Sequence, residues 1–509
     1  MFKNTTIALA FALLAWLLLD YQAIDTEKTL TIGGPFEFTS QDLSKDGFIY
    51  TRMQVAETLL EVQPDGKIAE KLAAKWRTSD DNLVWYFDIR PDVLFHDGEA
   101  LTAESIVISL SHALNKPGVL QQLPLKRIYS DNQQVVVELS EPYRPLLSVL
   151  AHFSTAILSP NSFDKEGSVF DINGTGPYQV SLLAPPHKLN VTRFNQYWGD
   201  KPAIEHVHYL TGHRAESRAL QAQSGQADLI YTLDPASIEV LKRANHIDVY
   251  SESIPRTVLI KLNNEHKFLN HKDVRRAMSL ALNREGISEH IVRVPDSEAY
   301  QLFPPSLSNW HLSGMQVEQQ DRVKAQQLLA QQGWQPNADG ILERDGERFN
   351  VNLVTYADRP ELTVIATAVQ AQLRQVGIEV TISVDNSSAI PSRHHDGTLE
   401  LALIARNFGI ISDPLALLID DTRTHKGSDW GPMNWSSEAL SVVLERMMNS
   451  TDQEYNSLSQ QAANHLADEM PLIPVVFYTQ QVAINERVMN FQFDPFENNY
   501  RVSEMYFAD

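Results

Sequence analysis

The densest run of side chains able to do chemistry lies between residues 406 and 435. Arg406, Phe408, Asp413, His425, Trp430 and Trp435 stand there among turns at Gly409, Gly427 and Gly431. Aromatic walls with a few oriented polar groups suit a cleft for a small molecule. The same two tryptophans suit equally well a plug on a domain surface. Just upstream, His394, His395 and Asp396 occupy a stretch between two strand-like segments that reads as a loop, where ligand contacts concentrate. His206 and His208 are two apart and share a strand face, but no third ligand stands near, so a solvated face is expected.

Covalent catalysis finds no foothold. Gly427-Ser428 lacks the spacing of a nucleophile elbow, and Ser162 with Lys165 has none of the companion motifs of the penicillin-recognising enzymes. Gly174-Thr175-Gly176 has Gln179 where a dinucleotide loop needs its third glycine, and neither a Walker loop nor His-Glu-x-x-His occurs. The chain contains no cysteine, which removes disulfides, thiolate zinc sites, iron–sulfur clusters, cysteine nucleophiles and the lipid-bearing cysteine of exported lipoproteins. No enzyme, cofactor or resident metal is expected.

These residues need a scaffold, and the periodicity supplies one. Residues 29–32 read as a first strand entering a polar loop over 39–47. Residues 84–89 alternate, with Trp85, Phe87 and Ile89 on one face, and Val135, Val137 and Leu139 repeat the pattern. Thr102 caps a helix running to Leu114, with Glu104 in its first turn. Strand 189–193 follows the turn at 173–178. A helix over 273–282 shows Val274, Ala277, Met278 and Ala281 on one stripe, and Asp321 caps another that stops at Gly333. Pro360 starts a helix lined by Leu362, Ile365, Val369, Leu373 and Val376, Gly377 ends it, and strand 378–384 follows. Strand 399–405 precedes a helix opened by Asp413-Pro414. Helices alternating with strands give an α/β class with mixed sheets.

The 509 residues include 42 basic and 64 acidic side chains, a net charge of −22, which repels phosphate backbones and argues against a nucleic-acid partner. Lys3 is followed by an unbroken apolar run over 7–19 with no charge until Asp20. A basic start and an apolar run too short for a membrane span read as an export signal over 1–23, cleaved or kept as a signal anchor. A periplasmic location follows.

A family comes into view in the motifs. Leu72-Ala73-Ala74-Lys75-Trp76, Ile89-Arg90-Pro91-Asp92-Val93 and Phe95-His96-Asp97-Gly98 are followed by Gly174-Thr175-Gly176-Pro177-Tyr178 and Asn195-Gln196-Tyr197-Trp198-Gly199. Arg275-Arg276-Ala277, Ala281-Leu282-Asn283-Arg284-Glu285 and Pro471-Leu472-Ile473-Pro474 continue the series. In that order they resemble the bacterial extracellular solute-binding proteins of family 5, the oligopeptide-, dipeptide- and nickel-binding components of ABC importers. The resemblance implies a two-lobed periplasmic binding protein of type II-like architecture with an extra small domain. It places lobe one in 24–50, 165–246 and 480–509, an insertion in 51–164 and lobe two in 247–479, with hinge crossings near 249–254 and 475–479. It implies a monomer that binds a small peptide or a metal chelate and delivers it to ABC permease subunits in the inner membrane. A secreted hydrolase is the competing class, and a sensor using the same closure is a third.

The same resemblance supplies site residues. Ile410 falls where peptide-binding members carry an acid for the peptide amine, and Phe408-Gly409-x-x-x-Asp413-Pro414 is closer to nickel-binding relatives. His425 lies near their metal-binding histidine, and His395 at a carboxylate-reading arginine, whereas their contacts near Leu120 and Ala156 find no match. The expected ligand contacts are Tyr50, Arg52, His395, Arg406, Phe408, Asp413, His425, Trp430 and Trp435. Arg406 or Arg52 is expected to read a carboxylate, and Phe408 to pack on the ligand.

Overall fold

The computed structural model describes residues 28–212, 214–357 and 359–508; the export segment read at 1–23 lies outside them. In chain order, the strands that matter here begin with β1 (Thr29–Gly34), β2 (Ala73–Thr78), β3 (Val84–Ile89), β4 (Leu125–Asp131) and β5 (Gln134–Leu139). They continue with β6 (Tyr178–Ala184), β7 (Lys188–Arg193), β8 (His206–Thr211), β9 (Leu229–Tyr231) and β10 (Ile247–Leu262). The last four are β11 (Asn350–Tyr356), β12 (Glu379–Asp385), β13 (Leu401–Asn407) and β14 (Leu472–Asn485). The helices are α1 (Leu43–Arg52), α2 (Ala103–Leu114), α3 (Lys272–Ala281), α4 (Pro360–Arg374), α5 (Ala389–His395) and α6 (Pro414–Thr422).

One mixed sheet of ten strands runs β12-β11-β13-β10-β14-β9-β1-β8-β7-β6. Its two flanks have separate hydrophobic cores, one beneath β10–β13 and one beneath β1 and β6–β9. A third core fills a separate four-stranded sheet, β2-β3-β5-β4, covered by α2. The flanks are joined by β10 and β14, which lie side by side and pass through both. The end of β14 pairs with β9, and the end of β10 pairs with β13. Between them the register slips: Ser253 faces Thr479 but Thr257 faces Phe477, so residues 254–256 oppose Tyr478 alone. Such a bulge bends a strand and re-aims its side chains.

The family motifs hold the three cores together. Glu57, nearly buried, accepts hydrogen bonds from Thr175 Oγ1 at 2.8 Å, Tyr197 Oη at 3.0 Å and Trp198 Nε1 at 3.0 Å, and Lys71 lies 3.4 Å away. A Cβ on Gly174 would fall 2.2 Å from the Val55 carbonyl oxygen, and one on Gly176 2.1 Å from that of Gln54. Only glycine permits that approach of two backbones. On the other flank Arg275 donates to the carbonyls of Leu269, Asn270, Glu469 and Met470. Arg284 donates to those of Ser279 and Pro474. These buried guanidiniums are satisfied by backbone oxygens, which ties α3 to the start of β14.

Two expectations are corrected. The polar stretch 39–47 is not all loop: Asp42 caps α1 by accepting from Ser44 N at 2.9 Å, and Asp46 inside the first turn accepts from Thr39 N and Ser40 N. Side chains that read as polar loop are a helix start. His394 and His395 likewise end the short helix α5, with His394 turned into the interior.

Candidate functional site

Between the two flanks lies a cavity of about 800 Å³. Phe36 enters it just past β1, Thr232 just past β9 and Arg359 just past β11, with Arg256 from the bulge of β10, Gln480 from β14 and Glu497 from the C-terminal loop. The carboxyl ends of α/β strands are where such folds bind ligands. A second cavity of about 640 Å³ lies between the four-stranded domain and the β10–β13 flank, lined by Arg144, Trp310 and Asp413 among others.

Arg256 and Arg359 line this cavity, and Arg52 lines a small adjoining one that shares Phe36 and Glu497 with it. Arg52, the last residue of α1, stacks 4.4 Å over Phe36 and donates from Nε to the Glu497 carbonyl at 2.6 Å. Arg256 pairs with the Glu497 carboxylate at 3.0 Å and lies 5.2 Å over the Tyr478 ring. Arg359 lies 5.0 Å over that same ring, and its guanidinium makes no hydrogen bond or ion pair among the described residues. Burial works against the Arg359 charge, but Tyr478 and Glu361 hold its pKa above the usual arginine value. Burial, then the neighbouring Arg359, push Arg256 down, while Glu497 opposes them. Burial also opposes the Glu497 charge, yet Arg256, Arg52 and Arg359 keep that carboxyl below the ordinary glutamate value.

Sequence reasoning singled out Arg52, which lies beside this cavity, and did not single out Arg256, Arg359 or Glu497. Arg359 carried a signal, standing just before a helix-starting proline at the end of a strand. Arg256 and Glu497 are 241 positions apart, and no local pattern joins them.

The other expected contacts lie elsewhere. Arg406 is 5% exposed and donates through Nη2 to both carboxylate oxygens of Asp421 at 2.8 Å, so its charge is paired within its own flank, although its buried Nε has no partner among the described residues. Phe408 is 1% exposed and meets Phe303 edge-on at 5.0 Å, a core position rather than a ligand wall. Its neighbour explains the motif: a Cβ on Gly409 would fall 2.2 Å from Pro255 Cγ in the β10 bulge. Tyr50 is buried and donates to the Ser40 carbonyl at 2.9 Å. Asp413 caps α6, accepts from Tyr455 Oη and lines the second cavity. Trp435 belongs to the flank's core, and Trp430 is half-buried with its ring edge-on to Tyr356 at 6.3 Å. His395 is exposed beside Asp429 at 2.9 Å, and His425 is exposed beside Glu265 at 2.8 Å. Among the described residues no group of three or more potential ligands is placed to hold a metal ion.

The sequence profile of the bacterial extracellular solute-binding proteins, family 5, matches residues 67–427, well over half of the chain. The chain belongs to that family. Relatives within it include the nickel-binding periplasmic protein of Escherichia coli K12, 25% identical over 468 residues and 88% of both chains. The oligopeptide-binding protein AppA of Bacillus subtilis is 22% identical over 502 residues, covering 94% of this chain and 91% of that one. In fold, NikA from Brucella suis in complex with Fe(III)-EDTA superposes with a TM-score of 0.85 at 22% identity, covering 94% of this chain and 100% of the other. AppA in complex with a nonapeptide gives 0.78 at 21% identity, covering 94% and 99%. The two flanks are thus the lobes of a two-lobed solute-binding protein. No described helix is long and apolar enough to cross a membrane.

Proposed function

We propose that this protein is an exported receptor of an ABC importer that closes its lobes on a small carboxylate-bearing ligand, a peptide or peptide-like molecule, and delivers it to the permease. The observation that supports the reading is Arg359, a guanidinium with no hydrogen-bond acceptor among the described residues, at the wall of an 800 Å³ cavity shared by both lobes. An open planar fork of donors is suited to a carboxylate. Lobe one takes 24–50, 165–246 and 480–509, the insertion 51–164 and lobe two 247–479, with the paired strands β10 and β14 as the hinge. Closure then needs only tighter binding to the closed form. Export over the signal at 1–23 would deliver the receptor to the periplasm, where it acts as a monomer.

A metal chelate is the second reading, favoured by Ile410. This side chain is 47% exposed where peptide-binding members offer an acid, so a free peptide amine finds no partner there. His395 and His425 stand on the same lobe as candidate contacts for such a chelate. Native mass spectrometry of protein purified from the periplasm tests both. Release of short peptides supports the first, and release of one carboxylate chelator with its metal supports the second. Release of a solute without a carboxylate overturns the Arg359 assignment.

A further inference from the structure

The C-terminal loop enters the cleft in a conformation that its sequence alone would not choose. Glu497 has φ 55°, in the left-handed region that disfavours a side chain of this kind. The surroundings over-determine it. The Asp494 carboxylate accepts the backbone amides of Phe496, Asn498 and Asn499 at 2.9, 2.9 and 3.0 Å. Phe496 is buried in the core of lobe two, whereas Phe493 and Tyr500 on either side belong to the core of lobe one. The loop therefore reaches from one lobe into the other and holds Glu497, 12% exposed, between them. A non-glycine residue kept in such a conformation by surrounding bonds points to a role for its side chain.

We propose that Glu497 determines specificity as a fixed internal carboxylate that occupies Arg256, so that the cleft takes ligands presenting one carboxylate toward the strand crossing and excludes polycarboxylates. The inference rests on the cleft reading above and names the ligand class that reading leaves open. Arg256 already has its anion at 3.0 Å, and Arg52 has given its Nε to the backbone carbonyl of the same residue. Of the three guanidiniums around Glu497, Arg359 is the one left for a ligand, while Arg214 and Arg293 line the same cavity from exposed positions. A second ligand carboxylate beside Arg256 would meet Glu497 as a like charge in a partly desolvated site, where such contacts are costly. The bracing by Asp494 and the anchoring of Phe496 argue against Glu497 moving aside.

The test compares two probes by calorimetry at equal ionic strength: N-acetyl-glycylglycine, with one carboxylate, and tricarballylate, with three. Wild-type protein is expected to prefer the first, and Glu497→Gln to shift the ratio toward the second by about tenfold. Glu497→Asn, whose side chain tolerates a left-handed backbone, carries the comparison if the glutamine variant melts early. Arg359→Ala separates the two ideas. If it weakens both probes while the Glu497 variants leave the ratio unchanged, the charge filter falls and the cleft reading stands. If Arg359→Ala changes nothing, or wild-type protein binds neither probe, the cleft reading falls and takes the filter with it.

Discussion

Two clusters of buried charge in this molecule look alike in a list of residues and differ in what they leave open. In the first, Arg52, Arg256 and Arg359 come from three separate segments and surround Glu497; Arg256 and Arg359 border a large cavity, and among the described residues Arg359 finds no acceptor. In the second, wholly inside lobe two, Lys261 is 0% exposed, and its Nζ meets His394 Nδ1 at 2.7 Å, the Asp429 carbonyl at 2.8 Å and the Ser428 carbonyl at 3.0 Å. The amine is thus enclosed by three polar partners. Arg406 beside it is closed on Asp421, which also accepts from Ser428. The segment 406–435, which by residue type looked most like a binding site, is in large part a sealed polar joint. Binding potential follows from unspent donors facing space, and density of polar residues is a poor guide to it.

The contrast can be broken where it is strongest. Asp421→Ala would leave Arg406 buried without its anion, and urea unfolding should show a loss of about 3–5 kcal/mol. The corresponding loss of a carboxylate in the first cluster, by Glu497→Gln, should cost less, because Arg256 there borders a cavity. Equal losses would show that the two clusters are the same kind of joint.

A pH experiment comes next. Burial, then Arg406, lower the Lys261 pKa from its ordinary 10.5 to about 7. Between those values the unfolded chain binds more protons on this amine than the folded one, so stability from this group rises with pH over that window. Wild-type protein should gain in unfolding free energy between pH 7 and 10, and Lys261→Met should lose that slope whatever its absolute stability. A slope unchanged in the variant would assign it to another group.

Arg359→Ala should lower ligand affinity about 10–100-fold, as expected for one charge-assisted carboxylate contact, with little change in melting temperature. A fall in stability instead would make Arg359 part of the hinge packing. The smallest effect is expected at His425, an exposed group paired with an exposed Glu265. His425→Ala should change stability by less than about 0.5 kcal/mol. It should weaken binding only if the ligand carries a metal.

What could be read in advance follows the same division. Strand β3 and helix α2, with its Thr102 cap, stand where alternation and capping chemistry put them, because both signals lie within a few residues. The face of α4 lined by Leu362, Ile365, Val369 and Leu373 is fully buried, as its spacing requires. The family motifs were legible as a series, but their physical meaning was not. Glycines 174 and 176 answer to the backbone of residues 54 and 55, more than a hundred positions away. The cleft cluster was hidden for that reason too: arginines in three segments and a glutamate near the C-terminus carry no common spacing.

The sheet order has a consequence for how the chain must be built. A ribosome or a translocation pore delivers the amino end first. Strand β1 can find its parallel partners β8 and β9 only after about 200 residues have emerged. The far edge of β9 is covered by β14, whose residues 482–484 arrive about 250 residues later still. Until then lobe one carries an open strand edge, and open edges invite foreign pairing. Removing strand residues 482–484 should therefore release an aggregation-prone chain rather than a slightly shorter receptor.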